Sequence, residues 1–199
     1  MKRILFIMVF LFLGGLMPGR DHASSGELKK AIFAGGCFWC MQPPFDQIPG
    51  VVETTVGYTG GRNPNPTYEE VSRGDSGHVE AIEVTYDPAA TDFNQLLSIF
   101  WQTIDPTDTG GQFADQGTQY KSAIFYMDEG QKNLAEASKN ILAASGRFKK
   151  PIATQILPAQ PFYSAEEYHQ KYYKKNVLHY NLYKKGSGRE EFLKRTWEK

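Results

Sequence analysis

The 199-residue sequence carries no surplus of charge of either sign, because 22 basic side chains balance 22 acidic ones. A protein that binds the phosphates of nucleic acid carries an excess of basic residues, so the composition argues against DNA or RNA as a partner. Basic residues gather near the C-terminal end, but they alternate with Glu190, Glu191 and Glu198, as on a solvated helical face. The sequence also lacks internal repeats and low-complexity tracts.

Cysteine is nearly absent, with two in the whole chain. Two cysteines cannot build a disulfide-rich scaffold or a four-cysteine zinc site. No His-x-x-His pair or second cysteine pair completes another ligand set, so we expect no metal and no cofactor. Both cysteines lie in one tetrapeptide, Cys37-Phe38-Trp39-Cys40, and the functional argument starts there.

No apolar run reaches the roughly 20 residues of a membrane-spanning helix. The longest run, Ile4 to Leu13, follows the basic Lys2 and Arg3 and precedes small and turn-forming residues. This pattern predicts a secretory signal over residues 1–23, with an uncleaved N-terminal anchor as the alternative. We expect residues 24–199 to form a single domain in the periplasm or another extracytoplasmic space.

Hydrophobic periodicity predicts strands and helices in alternation. The predicted strands cover residues 28–34, 51–58, 78–86, 120–127 and 153–157, the second with Val52, Val56 and Tyr58 on one face. The predicted helices begin at or just after Cys37, then cover 67–73, 92–104 and 129–144, and begin again at Ser164. This order favours an α+β fold with a ferredoxin-like split βαβ core, a mixed sheet, flanking helices and an irregular or helical C-terminal tail.

The cysteine pair suggests nucleophilic chemistry. Gly35-Gly36 predicts a sharp turn between a strand and a helix, which puts Cys37 at a helix N-terminus. Unpaired N–H groups and the helix dipole stabilise a thiolate there, so Cys37 is the candidate nucleophile. Cys40, one turn later, could attack an oxidised Cys37. A structural disulfide is the alternative, although closing so short a loop contributes little chain-entropy stabilisation.

Glu80 is the second candidate. Period-2 alternation in the strand 78–86 places Glu80 on one face with Ile82 and Val84, and Glu83 on the other. A carboxyl group on an apolar face is desolvated, which raises its pKa and suits it to donate a proton at neutral pH. If the apolar face ends before Glu80, the carboxyl is instead wet at the start of the strand, and alternation alone leaves both possibilities open.

Three further candidate site residues can also be explained by structural roles alone. Tyr58 and Tyr120 each stand at the end of a predicted strand beside a Gly-rich loop, where their hydroxyls could bind a polar ligand. The chain has 11 tyrosines, however, and most tyrosines are core or rim residues. Asp115 lies in the loop 105–119, which is long enough to suggest a function. An aspartate there is also typical of a turn.

Together these segments resemble peptide methionine sulfoxide reductase of the A type. The likeness extends from about residue 29 to 172 and is carried by several motifs in register: Gly35-Gly36-Cys37-Phe38-Trp39-Cys40, Val56-Gly57-Tyr58-Thr59-Gly60-Gly61, Gly77-His78-Val79-Glu80-Ala81, Tyr86-Asp87-Pro88, Phe100-Trp101, Asp105-Pro106, Asp115-Gln116-Gly117-Thr118-Gln119-Tyr120 and Tyr168-His169-Gln170.

The resemblance implies a reaction. Cys37 attacks the sulfoxide sulfur, Glu80 protonates the oxygen, methionine leaves and Cys37 becomes a sulfenic acid. A resolving cysteine then forms a disulfide, which a thioredoxin-like donor reduces. The expected substrate is the S epimer of methionine sulfoxide, free or in proteins, and the expected outcome is repair of oxidised proteins.

The resemblance also implies a substrate pocket. Phe38 and Trp39 are expected to enclose the substrate methyl group. Tyr58 and Tyr120 are expected to hydrogen-bond the sulfoxide oxygen, and Asp115 is expected to help organise the site. We expect residues 24–199 to be one catalytic domain that works as a monomer, since no coiled coil or broad apolar stripe is evident.

The sequence departs from the family pattern at two places. Many members have Glu at the position of Gln42, which leaves the local charge in doubt. Many also carry resolving cysteines near the C-terminus, and here Cys40 is the one internal candidate, so we predict a Cys37–Cys40 disulfide during turnover. A general thiol–disulfide oxidoreductase and a non-catalytic binding module using the aromatic residues are the competing hypotheses.

Overall fold

The computed structural model describes residues 27–198, so the predicted signal over residues 1–23 lies outside the described residues. The strands are β1 (Lys29–Ala34), β2 (Val51–Thr59), β3 (Val79–Tyr86), β4 (Gly111–Gln112), β5 (Asp115–Gln116), β6 (Ala123–Tyr126), β7 (Gln155–Pro158) and β8 (Tyr163–Ser164). The helices are α1 (Phe38–Asp46), α2 (Tyr68–Ser72), α3 (Phe93–Trp101), α4 (Glu129–Ala144), α5 (Tyr172–Lys175), α6 (Val177–Gly186) and α7 (Arg189–Trp197).

Six strands form the main sheet in the order β7-β6-β1-β3-β2-β8, and β4 pairs with β5 in a small hairpin. Within the main sheet β1, β2, β3 and β6 pair antiparallel, whereas β6 and β7 run parallel. Counted in chain order, the four central strands lie in the order 4-1-3-2, with α1 and α3 in the crossovers. This arrangement confirms the predicted α+β, ferredoxin-like core with a mixed sheet.

One face of this sheet carries the main core, which buries the apolar sides of α1, α3 and α4. The helix α3 is held at its start by the Asp92 side chain, which accepts a hydrogen bond from Gln95 N at 2.8 Å. The core is aromatic around Phe33, whose ring stacks on those of Phe45, Phe93 and Phe100 with centroids 5.1–5.9 Å apart. This packing fixes α1 against the sheet and so fixes where its first turn lies.

Two local predictions are wrong. Val52 is 60% exposed, because a bulge between Val51 and Glu53 shifts the register of β2 and separates Val52 from the buried Val56. No helix begins at Ser164, which instead ends β8. The chain turns over residues 167–171 and the first tail helix begins at Tyr172.

The C-terminal tail folds back over the first turn of α1. Lys171, in a left-handed conformation with φ 52°, donates its backbone N–H to Gln42 Oε1 at 2.8 Å. Gln42 is fully buried, and its amide nitrogen donates to the carbonyl and hydroxyl oxygens of Thr54, both at 3.1 Å. An amide both donates and accepts here, so Gln42 joins α1, β2 and the tail in a way that a carboxylate could not.

Candidate active site

Cys37 stands where β1 passes into α1. Its carbonyl oxygen accepts hydrogen bonds from Cys40 N at 3.0 Å and Met41 N at 3.3 Å, which makes it the residue that caps the helix. The turn needs glycine at Gly36, whose φ is +78° and whose Cβ, if present, would lie 2.5 Å from Gln112 Cβ. The sequence prediction of a Gly-Gly turn followed by a helix at Cys37 is therefore confirmed.

Glu80 lies beside this turn. It starts the buried face of β3, is 3% exposed, and its Oε2 accepts a hydrogen bond from Phe38 N at 2.9 Å. Burial raises the pKa of Glu80 to about 8, the charges of Asp115 and Cys40 act in the same direction, and the Phe38 N–H opposes them. At pH 7 the carboxyl group is mostly protonated. The wet alternative for Glu80 is excluded by its burial.

The surroundings shift the pKa values of the two thiols in opposite directions. Burial raises the pKa of Cys37 well above its usual value, and its hydrogen bond to Cys40 raises it further. That same hydrogen bond lowers the pKa of Cys40, assisted by the positive charges of Arg189 and Lys184. The sequence predicts a thiolate on Cys37; in the structure the surroundings oppose ionisation of Cys37 and favour ionisation of Cys40. The reason is that Cys37 is buried next to a carboxyl group and Cys40 lies near two cations.

Two aromatic residues of the cysteine tetrapeptide face the C-terminal tail. Phe38 is 1% exposed. Trp39 stacks on Tyr172 with ring centroids 3.8 Å apart and 6° between the planes, and its Nε1 donates to His169 Nδ1 at 3.0 Å. His169 also packs against the Phe38 ring at 5.0 Å. The tail thus fixes the orientation of the two rings expected to enclose a methyl group.

The predicted tyrosines have different surroundings. The Tyr58 hydroxyl donates a hydrogen bond to Glu166 Oε2 at 2.9 Å, and the residue is fully buried. In this structure Tyr58 therefore packs behind Phe38, and its hydroxyl proton is already used by Glu166. The pKa of Tyr120 is raised by burial and then by the charge of Glu80, with smaller contributions from Tyr68 and Asp115. The Tyr120 hydroxyl therefore lies within electrostatic range of the acid, where a sulfoxide oxygen would be protonated.

Asp115 comes from the β4–β5 hairpin. Its Oδ2 accepts a hydrogen bond from the Tyr183 hydroxyl at 2.5 Å. Burial raises the pKa of Asp115, while the Tyr183 hydroxyl and the charge of Arg189 lower it. The long loop that suggested function thus brings an acidic side chain within electrostatic range of Cys40 and Glu80.

Sequence reasoning missed three aromatic neighbours of the site. Burial raises the pKa of Tyr68 to about 12, and the charges of Glu80 and Cys37 add to the effect. Tyr183 lies close enough to Cys37 for the charge of Cys37 to raise the pKa of the tyrosine, after burial, and His169 holds Trp39. A capping box at Thr67 predicts the helix that carries Tyr68, and His169 falls in the family motif Tyr168-His169-Gln170, but no periodicity marks these side chains as neighbours of Cys37.

Within residues 27–198 no group of histidine, cysteine, aspartate and glutamate side chains has the geometry of a metal site. Over that same range, none of the helices combines the length and the apolar character needed to cross a membrane.

Comparison with known sequences identifies the family. The profile of peptide methionine sulfoxide reductase matches residues 29–199. Peptide methionine sulfoxide reductase MsrA of Bacillus subtilis (strain 168) is 58% identical over 173 residues, which cover 87% of this chain and 98% of that protein. The MsrA of Listeria monocytogenes serotype 4a (strain HCC23) is 54% identical over 172 residues, 86% of this chain and 97% of that protein.

Solved structures agree with the sequence relatives. Methionine sulfoxide reductase A of Corynebacterium diphtheriae superimposes with a TM-score of 0.67 at 37% identity and covers 76% of each chain. Mxr1 from Saccharomyces cerevisiae in its reduced form gives a TM-score of 0.72 at 30% identity, over 82% of this chain and 93% of that one. The chain therefore belongs to the A-type peptide methionine sulfoxide reductase family and is an oxidoreductase that reduces methionine sulfoxide.

Proposed function

We propose that this chain reduces the S epimer of methionine sulfoxide, free or within proteins, and so repairs oxidised proteins, with Cys37 as nucleophile and Glu80 as acid. One observation carries the proposal. The Glu80 carboxyl group accepts a hydrogen bond from Phe38 N at 2.9 Å, directly beside Cys37, in an environment that keeps it protonated near pH 7. A sulfoxide is a poor electrophile, and delivery of a proton to its oxygen is what makes attack by a thiol feasible.

The first step transfers the sulfoxide oxygen to Cys37. The Cys37 sulfur attacks the sulfoxide sulfur while its proton passes to the Cys40 sulfur, whose deprotonated form the charges of Arg189 and Lys184 favour. Glu80 donates its proton to the sulfoxide oxygen as the S=O bond weakens. The bond between the two sulfurs then breaks as the oxygen transfers to the Cys37 sulfur, which gives the sulfenic acid and releases the thioether. The substrate sulfur is reduced, the Cys37 sulfur is oxidised, and Glu80 is left as a carboxylate that regains a proton from solvent.

Selectivity for one epimer follows from asymmetry in the pocket. Phe38 and Trp39 offer apolar surface for the methyl group, and the tyrosine hydroxyls of Tyr68 and Tyr120 lie near Glu80, on the side where the oxygen must point. A sulfoxide of the other hand would direct its oxygen toward the apolar rings, where no donor meets it.

Cys40 is the proposed resolving residue. Its thiol attacks the Cys37 sulfenic acid, the S–O bond breaks, and the hydroxide leaves as water with the Cys40 proton. The sulfurs must approach by local loosening of the first turn of α1. Pro43 and Pro44 favour this, because they have no N–H groups to bond the carbonyl oxygens of Trp39 and Cys40, and the helix lacks two of its restraints there.

A dithiol protein of the thioredoxin class is the proposed reductant. Mxr1 from Saccharomyces cerevisiae has been solved in complex with Trx2. The same electron donor class suits this chain, because a protein dithiol can reduce a Cys37–Cys40 disulfide in two exchange steps and leave as a disulfide itself.

The test is an assay of purified protein on the separated S and R epimers, with wild type, Cys37→Ser and Glu80→Gln. We expect turnover of the S epimer alone, abolished by Cys37→Ser and strongly reduced by Glu80→Gln. Mass spectrometry after a single turnover without reductant should show the loss of two hydrogens in wild type and a sulfenic acid in Cys40→Ser. Insulin reduction without sulfoxide turnover would instead assign the chain to the general thiol–disulfide oxidoreductases.

We also propose that the protein acts outside the cytoplasm, in the periplasm or an equivalent space. The support is the basic start, the apolar run from Ile4 to Leu13 and the small residues after it. Cell fractionation and N-terminal sequencing of the mature chain test this. Recovery of full-length protein in the soluble cytosol would refute it.

A further inference from the structure

Cys40 borders a cavity that Cys37 does not reach. The cavity has a volume of about 250 Å³ and lies between α1, α3, α6 and α7, with Cys40, Lys184 and Arg189 among the residues that line it and Cys37 absent from them. The two sulfurs of the tetrapeptide therefore open to different surroundings. Cys37 meets Glu80 and the aromatic rings, whereas Cys40 meets a pocket with two cationic side chains.

Arg189 is a buried charge that the reduction of the sulfoxide does not use. It is 1% exposed, and its guanidinium donates to Thr103 O at 2.6 Å and Gly35 O at 3.0 Å. Its guanidinium carbon also lies 4.6 Å from the ring centroid of Phe113. Among residues 27–198 it forms no ion pair with a carboxylate. The tail that carries it thus brings a guanidinium, bonded to two carbonyl oxygens, into contact with the turn before Cys37.

A buried cation without an acidic partner is costly unless an anion compensates it. Asp115 is one acidic neighbour, since the charge of Arg189 lowers its pKa. The Cys40 thiolate released when the disulfide is reduced is another, since the charges of Arg189 and Lys184 both favour the deprotonated form of that sulfur. Arg189 is held by two backbone carbonyls, so its position does not depend on whether Cys40 is charged. It is a fixed positive charge beside a sulfur whose charge changes during turnover.

We propose that the cavity beside Cys40 is the docking point for the reductant, that its incoming thiolate attacks Cys40 and not Cys37, and that Arg189 is a positioning residue that supplies the positive charge for this exchange. The inference rests on the Cys37–Cys40 disulfide proposed above. The partner that fits is a dithiol protein presenting a nucleophilic thiolate, because a cationic pocket attracts an anionic sulfur.

Reduction of the Cys37–Cys40 disulfide takes two thiol–disulfide exchange steps. The donor thiolate attacks Cys40 Sγ, the Cys37–Cys40 bond breaks, and Cys37 leaves with the electron pair and takes up a proton. The second donor thiolate then attacks the donor sulfur of the mixed disulfide. Cys40 leaves as a thiolate beside Arg189, and the donor is oxidised to its disulfide. Both cysteines of the chain are then reduced, and Cys40 is released in the form that accepts the Cys37 proton in the next turnover.

Geometry supports attack at Cys40. Thiol–disulfide exchange proceeds with the three sulfur atoms close to a line, so the nucleophile must approach the attacked sulfur from the side opposite to the leaving one. The cavity borders Cys40, which is 3% exposed, without bordering Cys37, and so offers a way to Cys40 that does not pass Cys37.

The decisive experiment uses the wild-type chain, oxidised with one equivalent of the S sulfoxide. Its intact mass must first show the loss of two hydrogens; a missing disulfide at this stage contradicts the proposed function and not the docking site. The oxidised chain is then mixed with a thioredoxin whose second active-site cysteine is replaced by serine, acid-quenched within seconds and digested. We expect the mixed disulfide on Cys40. A mixed disulfide on Cys37 overturns the inference.

Arg189 is tested with Arg189→Met and Arg189→Lys. Arg147→Met is the matched control, since Arg147 is an exposed cation that stacks on Trp197, at the other end of α7 from Arg189. All variants are first checked for one equivalent of methionine released per chain without reductant, which also shows that they fold. We expect Arg189→Met to slow disulfide reduction about tenfold, the equivalent of one pKa unit. Arg189→Lys should retain most of the rate, and the control all of it.

Two small thiols separate a charge effect from a structural one. In wild type the rate of disulfide reduction by the anionic 2-mercaptoethanesulfonate is divided by the rate with the cationic cysteamine. Arg189→Met should lower this ratio at least about threefold, and added salt should lower it in wild type but not in the variant. An unchanged ratio together with a slower rate for both thiols would show that Arg189 has only a structural role and would overturn the proposal.

Discussion

Two glutamates three residues apart on β3 have opposite surroundings. Glu80 faces the start of α1, is 3% exposed and accepts a hydrogen bond from the neutral N–H of Phe38 at 2.9 Å. Glu83 points to the other face of the sheet, where its side chain is 18% exposed and accepts a hydrogen bond from Lys30 Nζ at 2.7 Å. The alternation of side chains along β3 therefore places a protonated glutamate on one face of the sheet and a glutamate paired with a lysine on the other.

The difference shows what makes a carboxyl group a proton donor. Both glutamates have a good hydrogen-bond donor, so hydrogen bonding does not distinguish them. Glu80 is desolvated, has no cation bonded to it, and has Asp115 and Cys40 as charged neighbours of its own sign, which together raise its pKa to about 8. Glu80 can act as an acid because, among the described residues, no ammonium or guanidinium group pairs with it on its face of β3.

The largest expected effect is on activity. Glu80→Gln keeps the shape and the acceptor for the Phe38 N–H but removes the proton, and we expect reduction of the S sulfoxide to fall by about 10²–10³-fold. Glu83→Gln is the matched control on the same strand and should stay within about twofold of wild type. Single-turnover release of methionine measures both. Equal losses in the two variants would show that the strand, and not the Glu80 proton, matters.

The pH dependence sharpens the comparison. Only the protonated form of Glu80 can donate, so with a pKa of about 8 the rate of the sulfoxide-dependent step should fall above pH 8, approaching tenfold per unit. Glu83→Gln should follow the same profile, and Glu80→Gln should lose this descending limb. A limb that persists in Glu80→Gln would assign it to another group.

Much of this comparison follows from local sequence. The alternation of β3 predicts that Glu80 and Glu83 lie on opposite faces, and the Gly-Gly turn predicts the helix start at Cys37, because both depend on backbone geometry over a few residues. The helix over residues 129–144 agrees with α4 for the same reason. Family membership, expected from several motifs in register, is confirmed by the relatives.

Long-range contacts could not be predicted in this way. His169 and Tyr183 come to the site from a tail more than 100 residues beyond Cys37, and no periodicity encodes where a tail folds back. Glu166 binds the Tyr58 hydroxyl and Tyr68 N, each over about 100 residues of chain, which explains why Tyr58 looked available in the sequence. Burial, rather than the helix start, dominates the pKa of Cys37, and burial of a single thiol is a tertiary property.

The turn that holds the Phe38 N–H against Glu80 offers the next test. Gly36→Ala adds a Cβ 2.5 Å from Gln112 Cβ at a φ of +78°, and Gln112 cannot retreat because its amide bonds both the N–H and the carbonyl of Asp105 at 2.8 Å. We expect a loss of about 2–5 kcal/mol in the free energy of unfolding.

Gly60→Ala is the control for that substitution. Gly60 has a φ of +90°, but its nearest neighbour would be 3.7 Å from the new Cβ, so only the backbone strain of about 1–2 kcal/mol should appear. Urea unfolding of both variants measures the difference. Equal losses would mean that crowding against Gln112 does not constrain the turn before Cys37.

The smallest effect belongs to the partner of Glu83. Lys30→Met removes an ion pair in which the lysine side chain is 51% exposed, and exposed pairs of this kind contribute about 0.2–1 kcal/mol, so unfolding should change by no more than this. The sulfoxide-dependent rate and its pH profile should not change, because Lys30 and Glu80 lie on opposite faces of the sheet. A profile displaced by Lys30→Met would mean that charge on the outer face reaches the acid through the sheet, and the contrast between the two glutamates would then be one of degree rather than of separate environments.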